Sequence, residues 1–203
     1  MGKGEHKKGG KYPTPNQKVP MMVLPDGTQL GESVAICRYV EEALGDSGLL
    51  FGREPVERAL IEMWQRRVEL ELLSGAVGKA WINGPVLEGL RKARGLEGHD
   101  SELQLGLGAA QSFYREMDQV LSGRSYLAGQ SFSIADITLL CVLDFGAGPV
   151  RVPTRWTELP HLTAWHKRVS ERPSVQQAHP NPYIKGEQRY GEYKDNGVWR
   201  PRL

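Results

Sequence analysis

The chain has 203 residues, of which 39% are hydrophobic and 25% charged, a composition typical of a soluble globular protein with one or two small domains. Its 26 lysines and arginines nearly balance its 24 aspartates and glutamates, and this net charge of +2 argues against a nucleic-acid partner. No apolar run approaches the ~20 residues of a membrane span, and the first twenty residues contain no apolar signal region, so we expect no membrane association and a cytoplasmic location.

The N-terminal quarter predicts a hairpin followed by a helix. Residues 1–17 are polar and predict a coil. The short runs 21–24 and 28–30 are joined by Pro-Asp-Gly, which favours two antiparallel strands and a tight turn. A helix is predicted over residues 33–44 because apolar residues line one side and a glycine follows its end. Residues 45–54 then predict a linker between two domains.

The sequence after this linker has patterns that predict helices. Apolar residues at helical spacing predict a long helix over residues 55–81, with two glycines that loosen or bend it near its end. The Gly-rich residues 83–100 predict irregular structure. A Ser-Glu-Leu-Gln sequence that starts at Ser101 has the pattern of a capping box, and a strongly amphipathic helix is predicted to follow it.

Ser133 and Asp136 predict the start of a central helix. They stand three residues apart, so each side chain can bond to the backbone of the other as a capping box. The residues that follow are apolar nearly all round, which is typical of a helix buried in the middle of a bundle. We therefore expect the cap to be buried and to contribute more than the usual ~1 kcal/mol. A last helix is predicted over residues 160–172, before a polar, extended tail.

The two cysteines, Cys37 and Cys141, both fall in apolar helical patterns, and we expect them to be buried small hydrophobic residues. Only two cysteines, both at such positions, argue against a disulfide framework and favour a reducing compartment. The five histidines are scattered without metal-ligand spacing, so we predict no metal site.

Val19, Pro20, Glu32 and Ser33 have the chemistry of a site for a small peptide. With a cis Val19–Pro20 bond, the backbone groups of Val19 can pair with a ligand that adds as a strand. Ser33 opens a helix, whose free N–H groups and positive dipole end favour a carboxylate, while Glu32 offers a partner for an ammonium group. Taken singly, Ser33 is also explained as a plain N-cap and Glu32 as a solvated charge. Their ordered combination favours a site for a free amino-acid head group, such as the γ-glutamyl end of glutathione.

This combination resembles the cytosolic glutathione S-transferases. Residues 18–39 are similar to the second half of the thioredoxin-like domain of that family. Residues 133–136 are similar to the capping box in its all-helical domain, and residues 159–174 to its closing helix. The landmarks fall in the order of the family across about residues 4–175.

The resemblance implies a fold that is α+β by content and mostly α. Residues 1–45 would form a partial thioredoxin-like, glutathione-binding domain. Residues 54–175 would form an all-α C-terminal bundle, and residues 176–203 an extended polar tail.

The resemblance also implies roles for single residues. Val19, beside a cis Pro20, would pair with the cysteinyl backbone of glutathione, and Glu32 and Ser33 would hold its γ-glutamyl group. Gln17 or Lys18 would reach the glycyl end.

Two residues of the helical domain are candidates for the pocket of the hydrophobic co-substrate. Trp81 would line this pocket, although it is equally explained as a core residue. Asn83 stands where some relatives place a polar residue that polarises the thiol; it cannot take a proton at neutral pH but can orient a water.

The resemblance leaves the catalytic residue unassigned. In these enzymes, the residue that stabilises the thiolate lies near the first strand and helix. A strand–helix–strand unit needs roughly 30 residues, and only three precede Gly4, where the match begins. We therefore expect this unit to be absent. Three explanations stay open: an incomplete gene model of a full enzyme, a natural short form that borrows the unit from a partner chain, or a family member used for binding.

The resulting hypothesis is a homodimeric glutathione transferase that conjugates the glutathione thiol to hydrophobic electrophiles, with glutathione as co-substrate and no cofactor. The alternative is a non-catalytic module of the same fold that binds ligands or proteins. A nucleic-acid-binding adaptor rests only on the Lys-rich arm before Tyr12.

Overall fold

The structure is a computed structural model, and it describes residues 19–43, 45, 48–152, 156–178, 192–193 and 199–200. The chain divides into two compact units, Met1–Leu50 and Phe51–Leu203. The first unit contains a hairpin and a helix, and the second is mainly helical. The predicted ligand-binding residues Gln17 and Lys18 lie outside the described residues.

The hairpin consists of strand β1 (Met21–Val23) and strand β2 (Gln29–Gly31), which pair antiparallel with Met22 opposite Leu30. The Asp26 side chain accepts the Thr28 N–H at 2.9 Å, and this hydrogen bond lowers the pKa of Asp26. Gly27 has a φ of +87°, a conformation that costs glycine little. The turn chemistry therefore fixes the predicted hairpin, with strand ends that differ from the prediction by one residue.

Helix α1 (Ser33–Ala43) follows β2 directly. The Glu32 carbonyl accepts the Ile36 N–H at 3.0 Å, so Ser33 is the first helical residue and the interpretation of Ser33 as the N-cap is wrong. Near the end of α1, the buried carboxylate of Glu41 accepts the Leu50 N–H at 2.8 Å. This bond ties the segment after α1 back to the helix.

The second unit contains seven α-helices among its described residues. They are α2 (Pro55–Arg67), α3 (Gly78–Asn83), α4 (Glu88–Ala93), α5 (Asp100–Leu121), α6 (Ile134–Phe145), α7 (Pro160–Ser170) and α8 (Pro173–Ala178). Two π-helical segments, Val68–Val77 and Gly146–Val150, continue α2 and α6 without a break. Short 3-10 turns lie at Pro85–Leu87 and Trp156–Glu158, and strands β3 (Glu192–Tyr193) and β4 (Trp199–Arg200) pair antiparallel.

The predicted long helix over residues 55–81 exists, but a wide turn replaces the predicted bend. The Gly78 N–H bonds to the Leu73 carbonyl, five residues earlier, as in a π-helix. A side chain on Gly78 would place its Cβ 2.7 Å from the same oxygen. The glycine therefore lets the helix widen and continue into α3.

Two predictions for the segment before α5 are wrong. Residues 83–100 include a 3-10 turn and α4 instead of irregular structure alone. Ser101 does not cap α5, which begins at Asp100. Just before α5, the side-chain oxygen of Asn83 accepts the N–H of the N-cap residue His99 at 3.0 Å, which ties the start of α5 to the end of α3.

The guanidinium of Arg91 explains why this Gly-rich segment is ordered. It donates to the carbonyls of Ile82 and Gly84, the latter at 2.8 Å. These bonds satisfy carbonyls that the end of α3 leaves without helical partners and tie α4 back to α3.

The hydrophobic core surrounds α6, as its apolar sequence predicts. Side chains from the π-helical segment after α2 and from α5, α6 and α7 meet there with almost no exposed surface: Val68, Leu72, Met117, Leu139, Leu162 and Trp165. After α7, the chain turns at Pro173 into α8, so the predicted extended tail from residue 176 begins with three helical residues.

Gly106 of α5 sets the closest approach between two helices. A Cβ on Gly106 would lie 2.7 Å from the Ala76 carbonyl oxygen and 2.8 Å from the Ala80 nitrogen. Backbone atoms cannot move aside as a flexible side chain can, so the packing of α5 against the helix that contains Ala76 and Ala80 depends on this glycine.

Asp118 of α5 caps a different helix. Its Oδ1 accepts the His161 N–H at 2.8 Å and the Leu162 N–H at 2.9 Å. These are N–H groups of the first turn of α7, which has no side-chain cap of its own at Leu159. The carboxylate therefore satisfies two donors and complements the positive end of the helix dipole.

Arg67 joins α2 to α5. Its guanidinium donates to both carboxylate oxygens of Glu71, at 2.9 Å each, and to both of Glu116, at 2.7 and 3.0 Å. It also lies over the Trp64 ring at 4.9 Å. Planar bidentate pairing of this kind fixes geometry more firmly than a single ion pair.

Candidate functional site

Ser133 and Asp136 form the predicted capping box at the start of α6. Both residues have no exposed surface, as expected for a cap inside the bundle. Asp136 Oδ2 accepts the Ser133 N–H at 3.0 Å and the Ser133 hydroxyl at 3.1 Å. The position of α6 in the bundle therefore depends on this box.

The other oxygen of Asp136 binds groups outside the box. Oδ1 accepts the Leu127 N–H and the Trp165 indole N–H, both at 2.8 Å. Burial raises the pKa of Asp136, and the hydrogen bonds from Leu127, Trp165 and Ser133 oppose that rise. The carboxylate is thus a structural hub that holds α6, α7 and the loop between α5 and α6.

The hairpin brings the predicted glutathione-binding residues of the first unit to one end of the sheet. Met21 pairs with Gly31, so Val19 and Pro20 before β1 lie near Glu32 and Ser33 after β2. The Val19–Pro20 bond is cis and Val19 is exposed.

Glu32 has an unusual backbone, with a φ of +63°. A non-glycine residue in this left-handed region costs free energy, and such residues cluster at functional sites. Glu32 and Ser33 are both exposed, and within the described part of the chain no hydrogen bond engages either side chain. Their carboxylate and hydroxyl are therefore available at the start of α1.

Trp81 of α3 contacts a residue that the sequence did not single out. Its ring meets Phe145 of α6 edge to face, with centroids 5.1 Å apart, and both side chains keep part of their surface exposed. Trp81 also packs against the core, which agrees with its interpretation as a core residue, and its place in a co-substrate pocket stays a prediction. Phe145 was missed because its place in an apolar helix gives no sign that it faces outward.

Both polar atoms of the Asn83 side-chain amide form hydrogen bonds to the backbone. Its Nδ2 donates to the Lys79 carbonyl at 3.0 Å, and its Oδ1 accepts the His99 N–H at 3.0 Å. Backbone groups therefore fix the orientation of this amide, and its place among the pocket residues stays a prediction.

The structure corrects one prediction for the cysteines. Cys37 is half-buried, but Cys141 is exposed, so the expectation of two buried residues is wrong for Cys141. Its helix is apolar nearly all round, yet one side of α6 reaches solvent at this position. Desolvation by surrounding groups raises the pKa of both thiols, and neither is poised as a thiolate.

Across the described residues, no group of three or more His, Cys, Asp or Glu side chains is arranged to hold a metal ion. None of the helices described there combines the length and the apolar character that crossing a membrane requires.

Both units match family profiles. Residues 4–48 match "Glutathione S-transferase, N-terminal domain" and residues 97–173 match "Glutathione S-transferase, C-terminal domain". The observed fold, mostly helical with a small antiparallel sheet in the N-terminal unit, agrees with the predicted fold class.

Individual relatives support the same family. Glutathione S-transferase 2 of Saccharomyces cerevisiae is 38% identical over 183 residues, which are 85% of this chain and 72% of that protein. The crystal structure of a glutathione S-transferase of class Gtt2 from Vibrio parahaemolyticus matches with a TM-score of 0.68 and 32% identity, covering 81% of this chain and 74% of the other.

Another relative is not named as a glutathione S-transferase, and the match covers a smaller share of that protein. The probable elongation factor 1-gamma 1 of Arabidopsis thaliana is 32% identical over 161 residues, which are 79% of this chain but 36% of that protein. Because two domain profiles and the yeast relative agree in order and extent, the chain belongs to the glutathione S-transferase family.

Proposed function

We propose that this chain binds glutathione and takes part in conjugating it, through its thiol sulfur, to hydrophobic electrophiles. The observation that carries this proposal is the 38% identity, over 85% of the chain, to a protein named glutathione S-transferase. The family alone does not set the reaction, so the arrangement of the predicted residues matters.

The geometry at the start of α1 supports the glutathione half of the proposal. Three N–H groups in the first turn of a helix have no helical partner and favour a carboxylate. The exposed Ser33 hydroxyl adds a donor, and the exposed Glu32 carboxylate adds an acceptor for an ammonium group. The γ-glutamyl end of glutathione carries both groups on one carbon. Val19 would then pair with the peptide backbone, and Gln17 or Lys18 would bind the glycyl carboxylate.

The chemistry of the transfer is a nucleophilic attack. The thiolate sulfur forms a bond to the electrophilic carbon, and the electron pair of the broken bond leaves with the leaving group or moves onto an acceptor oxygen. A lowered thiol pKa raises the fraction of nucleophile. The residue for that step stays unassigned, and the raised pKa values of Cys37 and Cys141 argue against either thiol as an alternative nucleophile.

The helical unit supports the co-substrate half. The edge-to-face pair of Trp81 and Phe145 offers a partly exposed aromatic surface. A hydrophobic electrophile would bury its own apolar area against these rings. Asn83 would stand at the edge of this pocket, with its amide held by the backbone.

We also propose that the protein acts as a homodimer. Four large apolar side chains at helical spacing are exposed on α2 and the π-helical segment that continues it: Val56, Leu60, Met63 and Leu70. This apolar stripe is the kind of surface that an oligomer covers.

We propose a cytoplasmic location because the two cysteines are unpaired, as is usual in a reducing compartment.

A second candidate is a non-catalytic module that binds ligands or proteins. The 32% identity to a protein named elongation factor 1-gamma, of which the matched region is about a third, favours it. This candidate predicts glutathione-dependent turnover no faster than in buffer.

Calorimetric titration with glutathione tests the binding half. We expect saturable binding to the 203-residue chain and its loss in Ser33→Ala. Ser101→Ala is the matched control, because Ser101 is also exposed in the first turn of a helix. The absence of binding to a folded sample would contradict the proposal.

An activity assay with glutathione and a generic aromatic electrophile then separates the two candidates. A rate above that in buffer, lost in Ser33→Ala and kept in Ser101→Ala, supports the transferase. Binding without any rate supports the non-catalytic module.

A further inference from the structure

Two arginines at the end of α7 form no ion pair among the residues that the structure describes. Arg168 lies in the last turn of the helix, and Arg172 follows four residues later, just before α8. Glu171, the acid nearest to them in sequence, lies 3.9 Å from Lys167 instead. Like charges four residues apart repel each other, so an anion bound between these arginines would lower the electrostatic free energy.

Both guanidinium groups meet Tyr126, in the loop between α5 and α6. Arg168 lies over the Tyr126 ring, with its central guanidinium carbon 5.7 Å from the ring centroid, and donates to the Ser125 carbonyl at 2.6 Å. Arg172 donates to the Tyr126 hydroxyl at 3.4 Å. Two positive side chains are thus brought to one aromatic residue.

Aromatic rings hold these guanidinium groups and leave most of their N–H donors unused. Arg172 lies over the Phe132 ring, 3.9 Å from its centroid, and Phe132 meets Tyr126 edge to face. A guanidinium carries five N–H donors in a fixed fork, and one hydrogen bond within the described part of the chain engages each of the two arginines. The Nε of Arg172 is buried without a partner, so a ligand would reach this arginine at its terminal nitrogens.

The Tyr126 hydroxyl adds a third donor. It accepts the hydrogen bond from Arg172, and its own hydrogen has no acceptor in the described residues. Two backbone hydrogen bonds between Tyr126 and Gly129, at 2.9 and 3.1 Å, fix the loop that carries it. Two charged forks and one hydroxyl therefore converge at a place where no described carboxylate pairs with them.

We propose that Arg168, Arg172 and Tyr126 form a binding site for a phosphate dianion, as the free ion or as the monoester group of a small molecule. Guanidinium forks match phosphate oxygens bidentately, and the charge of about −2 on a phosphate monoester balances the two arginines. A carboxylate or a sulfate ester carries one negative charge and leaves one arginine uncompensated. Binding at this place is independent of glutathione binding and transfer.

A purely structural role for the same arginines makes different predictions. Positive side chains in the last turn of a helix complement the negative end of its dipole, and a guanidinium stacked on a ring stabilises the packing. That role predicts a lower stability when an arginine is replaced, but it predicts no saturable anion binding and no preference between anions of different charge.

The test compares phenyl phosphate, which is mainly a dianion at pH 7, with phenyl sulfate, a monoanion of similar shape. Each is titrated into the full chain at constant ionic strength, and binding is followed through the backbone amide NMR signals of Tyr126 and Gly129. We expect saturable shifts and at least about 10-fold tighter binding of phenyl phosphate. Inorganic phosphate, titrated in the same way, distinguishes a site for the free ion, which binds it at least as tightly, from a site for esters.

Three variants locate the binding. Arg168→Gln removes an exposed side chain and should weaken phenyl phosphate binding about 10-fold or more. Tyr126→Phe keeps the ring, removes the hydroxyl and should weaken binding about 3- to 10-fold. Arg115→Gln is the matched control, because Arg115 is also an exposed helical arginine with one hydrogen bond, to Ser112 at 3.1 Å. Urea unfolding of each variant checks that the fold is kept.

Saturable binding that prefers phenyl phosphate, and that Arg168→Gln weakens and Arg115→Gln does not, supports the site. Missing saturation, equal affinities for the two anions, or an affinity that Arg168→Gln leaves unchanged overturns it. A lower free energy of unfolding for Arg168→Gln, with no phosphate binding by the wild type, also overturns it and assigns the arginines to structure alone. Glutathione-dependent turnover is measured separately, so failure of the proposed function and failure of this site are distinguishable.

Discussion

The indole N–H of Trp165 donates to Oδ1 of Asp136 at 2.8 Å, across 29 residues of sequence. Both residues are fully buried, and the same oxygen accepts the Leu127 N–H. The carboxylate that caps α6 therefore also positions α7. The first turn of the central helix and the middle of a later helix share one anchor.

Replacing Asp136 should destabilise the fold rather than change substrate preference. Asp136→Ala leaves the Trp165 and Leu127 N–H groups buried without partners, and we expect a loss of roughly 3 kcal/mol or more in the free energy of unfolding. Ser133→Ala removes only the cap and should cost about 1–2 kcal/mol. Urea unfolding followed by circular dichroism measures both. Asp100→Ala, at the exposed start of α5, is the control, and equal midpoints for all three variants would contradict the role of Asp136.

The pairing of Arg67 with Glu71 should make part of the stability depend on pH. The hydrogen bond from Arg67 lowers the pKa of Glu71 below its usual 4.5. An acid with a lowered folded-state pKa stabilises the fold above its unfolded-state pKa, and this contribution disappears as the pH falls through the folded-state pKa.

Glu71→Gln tests this linkage. Because the Glu71 side chain is about half exposed, we expect the variant to lose no more than about 1 kcal/mol at pH 7. The difference from the wild type should be constant above pH 4.5 and vanish as the solution is acidified further. Glu69→Gln, which removes the Arg66 pair instead, is the control. A difference that grows on acidification would refute the assignment.

Gln65 should be a site where a polar side chain lowers stability. It lies on α2 with 1% of its surface exposed, and neither amide atom has a partner among the described residues. Gln65→Met keeps a similar length without the polar atoms and should stabilise the fold by about 1–2 kcal/mol, a rise in Tm of roughly 2–8 °C. Gln119→Met, at an exposed position of α5, should change Tm little. A lower Tm for Gln65→Met would mean that the amide is paired in solution.

Two glycines of α5 should respond in opposite directions to the same substitution. Gly106→Ala places a methyl group against the backbone of Ala76 and Ala80 and should cost about 1–3 kcal/mol. A Cβ on Gly108 meets nothing within 4 Å, so Gly108→Ala should stabilise the helix by about 0.5–1 kcal/mol. Thermal unfolding of the pair measures both, and a common direction would argue against the close packing at Gly106.

Local patterns explain what the sequence predicted well. Ser133 and Asp136 are three residues apart, so both partners of the capping box lie within one short stretch of sequence. The hairpin follows from Asp26 and Gly27 for the same reason. Each of these interactions is confined to a few consecutive residues, so a single sequence contains all of its partners.

Contacts between distant segments explain the failures. Ser101 has the local pattern of a cap, but α5 begins at Asp100, and Asn83, 16 residues away from His99, ties its start to the end of α3. The exposure of Cys141 and the contact of Phe145 with Trp81 both depend on which elements pack together. No spacing rule within one helix contains that information.

The cap that Asp118 provides for α7 bears on the order in which the chain acquires structure. An eleven-residue helix is marginal by itself, and α7 begins with Leu159 and Pro160, which offer its first N–H groups no side-chain acceptor. The acceptor lies on α5, which leaves the ribosome earlier. The cap therefore becomes available to α7 only through contact with α5, and α7 gains its full stability only when it lies against a helix that was synthesised before it.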